Sequence, residues 1–550
     1  MISFYSDNEL INRAARIALG DIRANYLPYC EKVSGDADKT CDVGVSESAL
    51  SDDKAADTVS ASTPYMTEKK MCVMAGLDYD TPWTRDTAIN TGNAVALLDP
   101  DVAKNTMLSV LEVCDGRVRV GGQYWDKILW IIAADRYCDI TGDDDFRSFA
   151  LEVADNTFIQ MEEEEYDPAD GLFRGAAVYG DGISAYPDRY AHTEGGRSGI
   201  LDWPGANKGE LASSGCGVPM KALSTNIAYC EAYRAAARMW EKCISQAPVK
   251  ELDPADMFII TKDMILDAGL YNGFGKRGEF DTELWRVKYN LWNHKALALK
   301  DSINAHFWNE KTGRYDYIFD DKLRCDYTEA IGQSFAILFD IADDDQIRSI
   351  AENTYISPEG IPVVWPAFPR YRYNMSGELK PGDTIDSSLK IDDHACADEA
   401  DDTPIMHYGR HSGTVWPHAQ GFWALAMRKA GYGDKFDTEL KTMALRAVRD
   451  MQFAEIYHPV TGEIYGGLQE LEYNMILWKS CDKQTWSGTA FWSMIFYGIA
   501  GLKYQDGEFT IDPYLPEGMN EATITGLPMG DKLVNVRIWR EDGKVKGEIC

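Results

Sequence analysis

Apolar residues recurring at three- and four-residue spacing along most of the chain constrain its fold more than any other feature. They predict helices over Asn8–Asn25, Ile89–Leu98, Val102–Cys114, Tyr124–Cys138, Phe146–Met161 and Met220–Trp240. The pattern resumes over Met257–Ala268, Leu284–Phe307, Glu329–Ile341, Gln346–Asn353, Val415–Ala430, Glu439–Phe453 and Thr485–Gly501. Breaks rich in Gly, Pro and Asp, such as Asp99-Pro100 and Gly431–Gly433, separate them. Helical pairs recurring every ~40–50 residues fit an α-solenoid or a closed barrel of helical hairpins. Long aromatic loops between the pairs weigh against the solenoid, whose connections are short and alike.

Three stretches depart from this pattern. Ser34–Pro64 is apolar-poor and reads as a surface insertion, and Ser376–Pro404 as an acidic, turn-prone excursion over one face. From Gly507 the period changes to alternation at Phe509–Ile511, Ala522–Ile524 and Leu533–Ile538, which predicts short strands. The expected organisation is a helical catalytic unit over 1–505, with insertions near 34–64 and 376–404, and a small β unit over 506–550.

Charge and cysteine usage narrow the function. A formal net charge of -33 disfavours nucleic acid and anionic membrane surfaces, leaving a neutral small substrate as the expected partner. Twelve cysteines without CxxC spacing read as reduced, mostly buried thiols. With no apolar leader at Met1–Glu9, they point to a cytoplasmic location.

The chemistry-bearing residues are two carboxylates far apart in sequence. Asp202 lies in G-I-L-D-W-P-G and Glu470 in G-G-L-Q-E-L-E, among glycines and some of the chain's fifteen tryptophans. Two carboxyl groups flanking a glycosidic bond are the usual apparatus for cleaving it. Trp203 would desolvate Asp202 and raise its pKa, as a proton donor needs. The plain alternatives are a turn residue before Pro204 and a surface glutamate on a short strand. Residue chemistry alone does not choose Glu470 over Glu463 or Glu472.

Other residues suit a sugar pocket. Tyr79 precedes Trp83-Thr84-Arg85-Asp86, where rings can stack on sugar C–H faces and charges can hold hydroxyls. A helix N-terminus with a salt bridge explains the same residues. Trp125-Asp126 opens another helix in the same two ways. His411, Trp416 and His418 crowd one loop-to-helix junction with Arg410, and Trp486 follows in K-Q-T-W-S-G-T. His411 and His418 lack a third ligand at metal-site spacing, so no metal is expected. Gly273–Gly278 lacks P-loop spacing, Ser198 and Ser487 lack a nucleophile elbow, and His394-x-Cys396 is too short for a zinc site.

Over roughly Tyr79 to Ile538 these blocks resemble the six-hairpin (α/α)6-barrel glycosidases. The likeness is greatest to the glucosidase domain of glycogen debranching enzymes, with trehalases, processing α-glucosidases and glucoamylases as relatives. Trp83–Asp86 resembles their W-x-R-D segment, and W-D-K-I-L-W their D-A-x-L-W helix start. F-W-N-E-K-T-G-R-Y-D, H-S-G-T-V-W-P-H-A-Q-G and G-L-Q-E-L followed by S-C-D-K-Q-T-W-S match further blocks in order. The resemblance implies a mainly α fold, an (α/α)6 toroid, with Asp202 as general acid and Glu470 as general base. It also implies an inverting, exo-acting α-glycosidase without a cofactor, with a small oligosaccharide or glycoside as substrate. An α-rhamnosidase, mannosidase or uronic-acid-releasing enzyme of the same architecture, or a non-catalytic sugar binder, are the alternatives. Gln469 stands where the family has proline before the base, and the N-terminal β-sandwich of several relatives has no counterpart here.

Overall fold

The computed structural model describes residues 2–29, 69–114, 116–122, 125–180, 182–190, 219–246, 281–371, 381–382, 384–385, 408–470 and 475–550. The predicted helix Met257–Ala268, the segment 34–64 and most of 376–404 lie outside these residues, as do Asp202 and Trp203.

The helices are α1 (Glu9–Ala24), α2 (Thr84–Asn90), α3 (Pro100–Ser109), α4 (Lys127–Thr141), α5 (Asp144–Glu165) and α6 (Leu223–Gln246). They continue as α7 (Asp281–Phe307), α8 (Ala330–Leu338), α9 (Asp344–Asn353), α10 (Pro417–Lys429), α11 (Gly433–Asp450) and α12 (Thr485–Ser493). Six of them close a ring: α2 packs on α4, α4 on α6, α6 on α8, α8 on α10, α10 on α12, and α12 back on α2. That closure makes the chain an (α/α)6 toroid and excludes the solenoid, whose end repeats never meet.

Composition decides which helix goes inside. Every residue of α2 and of α12 is buried, and α12 contributes apolar or small side chains all round, whereas α2 also buries Arg85, Asp86 and Asn90. A helix buried on all sides needs no polar face. Close approach depends on small residues: a Cβ on Gly421 of α10 would stand 2.8 Å from Ala490 of α12. The outer helices alternate apolar and charged faces. In α1 the buried set is Ile11, Asn12, Ala14, Ala15, Ala18, Asp21 and Ile22, with Arg13, Arg16 and Arg23 outside it. Asn8 caps α1 by accepting from the Ile11 N–H, and Asp343 forms a capping box with Gln346 at α9.

Strands complete the walls. β1 (Ser3–Ser6) comes first, followed by the short pair β2 (Thr328–Glu329) and β3 (Val364–Trp365). β4 (Leu468–Glu470) pairs antiparallel with β5 (Met475–Leu477), which Thr384–Ile385 extends on its other side. The C-terminal sheet contains β6 (Glu521–Met529), β7 (Lys532–Glu541) and β8 (Lys544–Ile549), in the order β1-β6-β7-β8.

Three sequence expectations need correction. The C-terminal alternation does form strands, but their sheet also takes in β1, whose Ser3 pairs with Thr525. The helix expected over Val102–Cys114 stops at Ser109, and Leu111–Cys114 forms a hairpin with Arg117–Val120. Gly116, at φ +72°, makes the turn that an uninterrupted helix could not accommodate. Cys114 is disulfide-bonded, against the expectation of reduced thiols throughout, whereas Cys138, Cys230, Cys325 and Cys481 are buried free thiols.

Candidate active site

Glu470 ends β4, and the glycines before it are dictated by packing. A Cβ on Gly466 would overlap the Trp478 carbonyl, and one on Gly467 would stand 2.5 Å from the Arg410 backbone. Only glycine lets this strand lie so close to its neighbours. The Glu470 side chain is 14% exposed, so it is not the surface glutamate of the plain reading.

Its carboxylate is held from one side. Arg370 donates from Nε to Oε1 at 2.7 Å, and the Tyr371 hydroxyl donates to the same oxygen at 2.5 Å. Oε2 is buried and has no hydrogen-bond partner among the described residues. Arg370 is anchored in turn by the Ile183 carbonyl at 3.0 Å and by Asp188 at 3.1 Å. Burial holds the Tyr371 phenol well above its ordinary pKa, so it remains a donor.

From this grip the predicted residues connect in sequence. Ser184, next to Ile183, meets His411 twice: its Oγ accepts the His411 N–H at 3.1 Å and lies 3.2 Å from Nδ1. His411 stacks on Trp416 with centroids 4.6 Å apart, and His418 stacks on Trp486 at 4.2 Å. Trp416 touches both His418 and Trp486 edge-on at 5.6 and 5.7 Å. Arg85 lies over the Trp486 ring at 6.0 Å and pairs with Asp126 at 3.0 Å.

The structure therefore corrects one plain reading. Asp126 stands at the N-cap of α4 but makes no capping bond with its side chain, which turns to Arg85 instead. Both partners of that pair are buried, at 6% and 2% exposure. Trp125 is fully buried in the same apolar cluster as Tyr371 and Leu468, which ties the start of α4 to the strand carrying Glu470.

Asp86 accepts a 3.4 Å bond from Gln484, just ahead of α12. Burial, and next the nearby Glu455 carboxylate, push the Tyr79 phenol well above its ordinary pKa, placing Tyr79 beside the Arg410–Glu455 pair. Trp83 is half-buried at the N-cap of α2. Asp202 and Trp203 lie outside the described residues.

His418 has an unusual environment. It is fully buried, and neither ring nitrogen has a hydrogen-bond partner among the described residues. Burial first, then the Arg85 and His411 charges, depress its pKa far below the ordinary histidine value, so the ring is neutral. A neutral imidazole with both nitrogens free can both donate to and accept from a sugar hydroxyl.

Sequence reasoning missed Arg370 and Tyr371, which sit in a short 3₁₀ turn at Pro369–Tyr371 with no glycine or tryptophan motif. It also missed Glu329, whose carboxylate accepts from the Ser224 N–H at 3.0 Å and the Tyr179 hydroxyl at 3.2 Å. Burial pushes Glu329 up to about 7. Tyr179 in turn meets His418 edge-on at 5.6 Å. The signal available was Glu329 at the head of an otherwise apolar helix, where a carboxylate is costly unless bonded.

Comparison with known proteins agrees with this geometry. Residues 287–487 match the family model described as the mannosylglycerate hydrolase MGH1-like glycoside hydrolase domain, a span that includes Glu470 and the His411–Trp486 stack. No curated protein matches the chain. Among solved structures, a protein titled sialidase aligns over 100% of this chain and 40% of its own, with 11% identity and a TM-score of 0.59. A GH78 family rhamnosidase of Bacillus sp. GL1 aligns over 100% of this chain and 41% of its own, with 14% identity and a TM-score of 0.52. The chain thus spans about two fifths of the length of these proteins, and at such identities the likeness is one of fold. Residues 287–487 thus resemble a glycoside hydrolase domain, and the chain has the (α/α)6 toroid fold.

Proposed function

We propose that this protein is an exo-acting, inverting glycosidase for an α-glucoside or a short oligosaccharide. The observation that carries the reading is Glu470: a half-buried carboxylate with one oxygen gripped and the other unpartnered among the described residues, linked through Arg370 and Ile183-Ser184 to an aromatic stack suited to a sugar ring. In this scheme Asp202 protonates the leaving oxygen while Glu470 takes a proton from water attacking the opposite face of the ring. Inversion requires about 6.5–9.5 Å between the two carboxyl groups, leaving room for that water.

Arg85, Asp86, Asp126, Trp416 and His418 hold the terminal sugar in this reading, with Tyr79, Trp83, Trp125, Trp203, His411 and Trp486 around it. The α-glucoside follows from the block-by-block likeness to debranching glucosidases. The matched domain's name favours a second reading, an α-mannoside of glycerate. We assign 1–505 to the catalytic toroid and 506–550 to the β unit. Among the described residues no helix is long and apolar enough to cross a membrane.

The test is hydrolysis of a panel: 4-nitrophenyl α-D-glucoside, α-D-mannoside and α-L-rhamnoside, maltose, and α-mannosylglycerate. Anomer-resolved NMR is run on each hit. Release of the β-anomer from the α-glucoside supports the assignment. Retention of configuration breaks the Asp202/Glu470 scheme, and silence across the panel returns the protein to the sugar binders.

A further inference from the structure

The asymmetry at Glu470 goes beyond naming a base. We propose that Arg370 and Tyr371 are positioning residues that occupy Oε1 of Glu470 so that Oε2 alone accepts the proton from water. The inference rests on the reading of Glu470 as the general base. Three observations carry it. Both donors converge on one oxygen, at 2.7 and 2.5 Å, while the other is buried and unpartnered among the described residues. The donors are adjacent in sequence and linked, Arg370 Nε also donating to the Tyr371 hydroxyl at 3.2 Å; Arg370 is further fixed by the Ile183 carbonyl and Asp188, and Tyr371 by its buried ring against Gly409. The grip is also electrostatic, since a buried guanidinium stabilises the ionised carboxylate that a base must be.

Among the described residues, the groups bonded to the Glu470 carboxylate are Arg370 and Tyr371, with Asp188 behind Arg370. The elements packed beside it, β5, Thr384–Ile385 and the turn Ile183–Ala185, contribute no ionisable side chain. In the step, the water oxygen bonds to the anomeric carbon as the glycosidic C–O bond breaks. One water proton passes to Oε2, and the leaving oxygen takes the proton of the general acid. Glu470 ends protonated and the acid ionised, and exchange with solvent restores both. A carboxylate free to rotate would offer either oxygen at random, and a misplacement of about 1 Å can cost on the order of 10²-fold in rate.

The experiment compares Tyr371→Phe, Arg370→Lys and Arg370→Gln with Glu470→Gln on whichever panel glycoside the wild type hydrolyses. Tyr371→Phe keeps the ring and removes only the donor, so it tests the idea even if an Arg370 variant fails to fold. The expected result is a fall in kcat of about tenfold to a hundredfold with KM nearly unchanged. Arg370→Lys should recover part of the loss seen in Arg370→Gln. A merely structural role would lower stability without separating kcat from KM. If Glu470→Gln is inactive while Tyr371→Phe and Arg370→Gln keep the wild-type kcat, the positioning inference is overturned. If Glu470→Gln is fully active, or the wild type hydrolyses nothing, the underlying reading of the base is what fails.

Discussion

Gly409→Ala tests the grip on Glu470 without touching either donor. A Cβ at Gly409 would stand 2.6 Å from Cε2, 2.8 Å from Cδ2 and 2.9 Å from Cζ of Tyr371. Carbon atoms in ordinary contact are about 3.5–4.0 Å apart, so the ring has to withdraw by roughly 1 Å. Its hydroxyl, now 2.5 Å from Glu470 Oε1, would then lie beyond the ~3.0 Å limit of a useful O–H···O bond. Overpacking of this kind costs about 1–3 kcal/mol of stability. The lost alignment should lower kcat by on the order of 10²-fold. Urea unfolding reads the first quantity and steady-state kinetics the second. The decisive measurement is the double variant with Tyr371→Phe. With no hydroxyl left to displace, adding Gly409→Ala should cost stability again but little further kcat. Wild-type kcat in Gly409→Ala, with a crystal structure showing the ring displaced, would refute the reasoning.

Other expectations follow from the same structure. Asp126→Ala removes one buried ion-pair partner of Arg85 and should destabilise the protein in urea unfolding by more than the ~1 kcal/mol of an exposed pair; a smaller loss would contradict the burial. His418→Phe keeps the stacked ring and removes two unpartnered nitrogens, so the melting temperature should hold or rise while kcat/KM collapses. Glu329 titrates near 7 in the folded chain against 4.5 when free, so the native state binds the extra proton between those values. Its contribution is present below pH 4.5 and lost as pH rises through 7, on the order of 3 kcal/mol in all. Glu439, also pushed up to about 7, has the same sign, so the measure is the difference in slope between wild type and Glu329→Gln. Equal slopes would show that Glu329 is not the titrating group.

The sequence disclosed helices better than it disclosed what those helices meet. The period at Asn8–Asn25 found α1 to within a residue at each end, because a cap and an amphipathic face coincide there. Ring closure was not readable, since an apolar helix such as α12 has no face to say which neighbours cover it. β1 was missed because four residues ahead of a helix carry no period of their own. At the site, Arg85, Asp126, His411, Trp416, His418 and Trp486 stood out through local motifs, and they converge. Arg370 and Tyr371 had no such motif. Their meaning lies in a partner 100 and 99 residues away, a distance only the folded chain removes.

The closure of the ring also sets an order of events during synthesis. The last inner stave, α12, must slot between α10 and α2, and it carries the Trp486 that His418 stacks on. The ring stays open until Thr485–Ser493 has been made, and β1, made before α1, waits longer still for Thr525. Contacts so distant along the chain form late and slowly. A chain stalled between α10 and α12 is therefore an open crescent, in which His418 has no Trp486 ring to stack on.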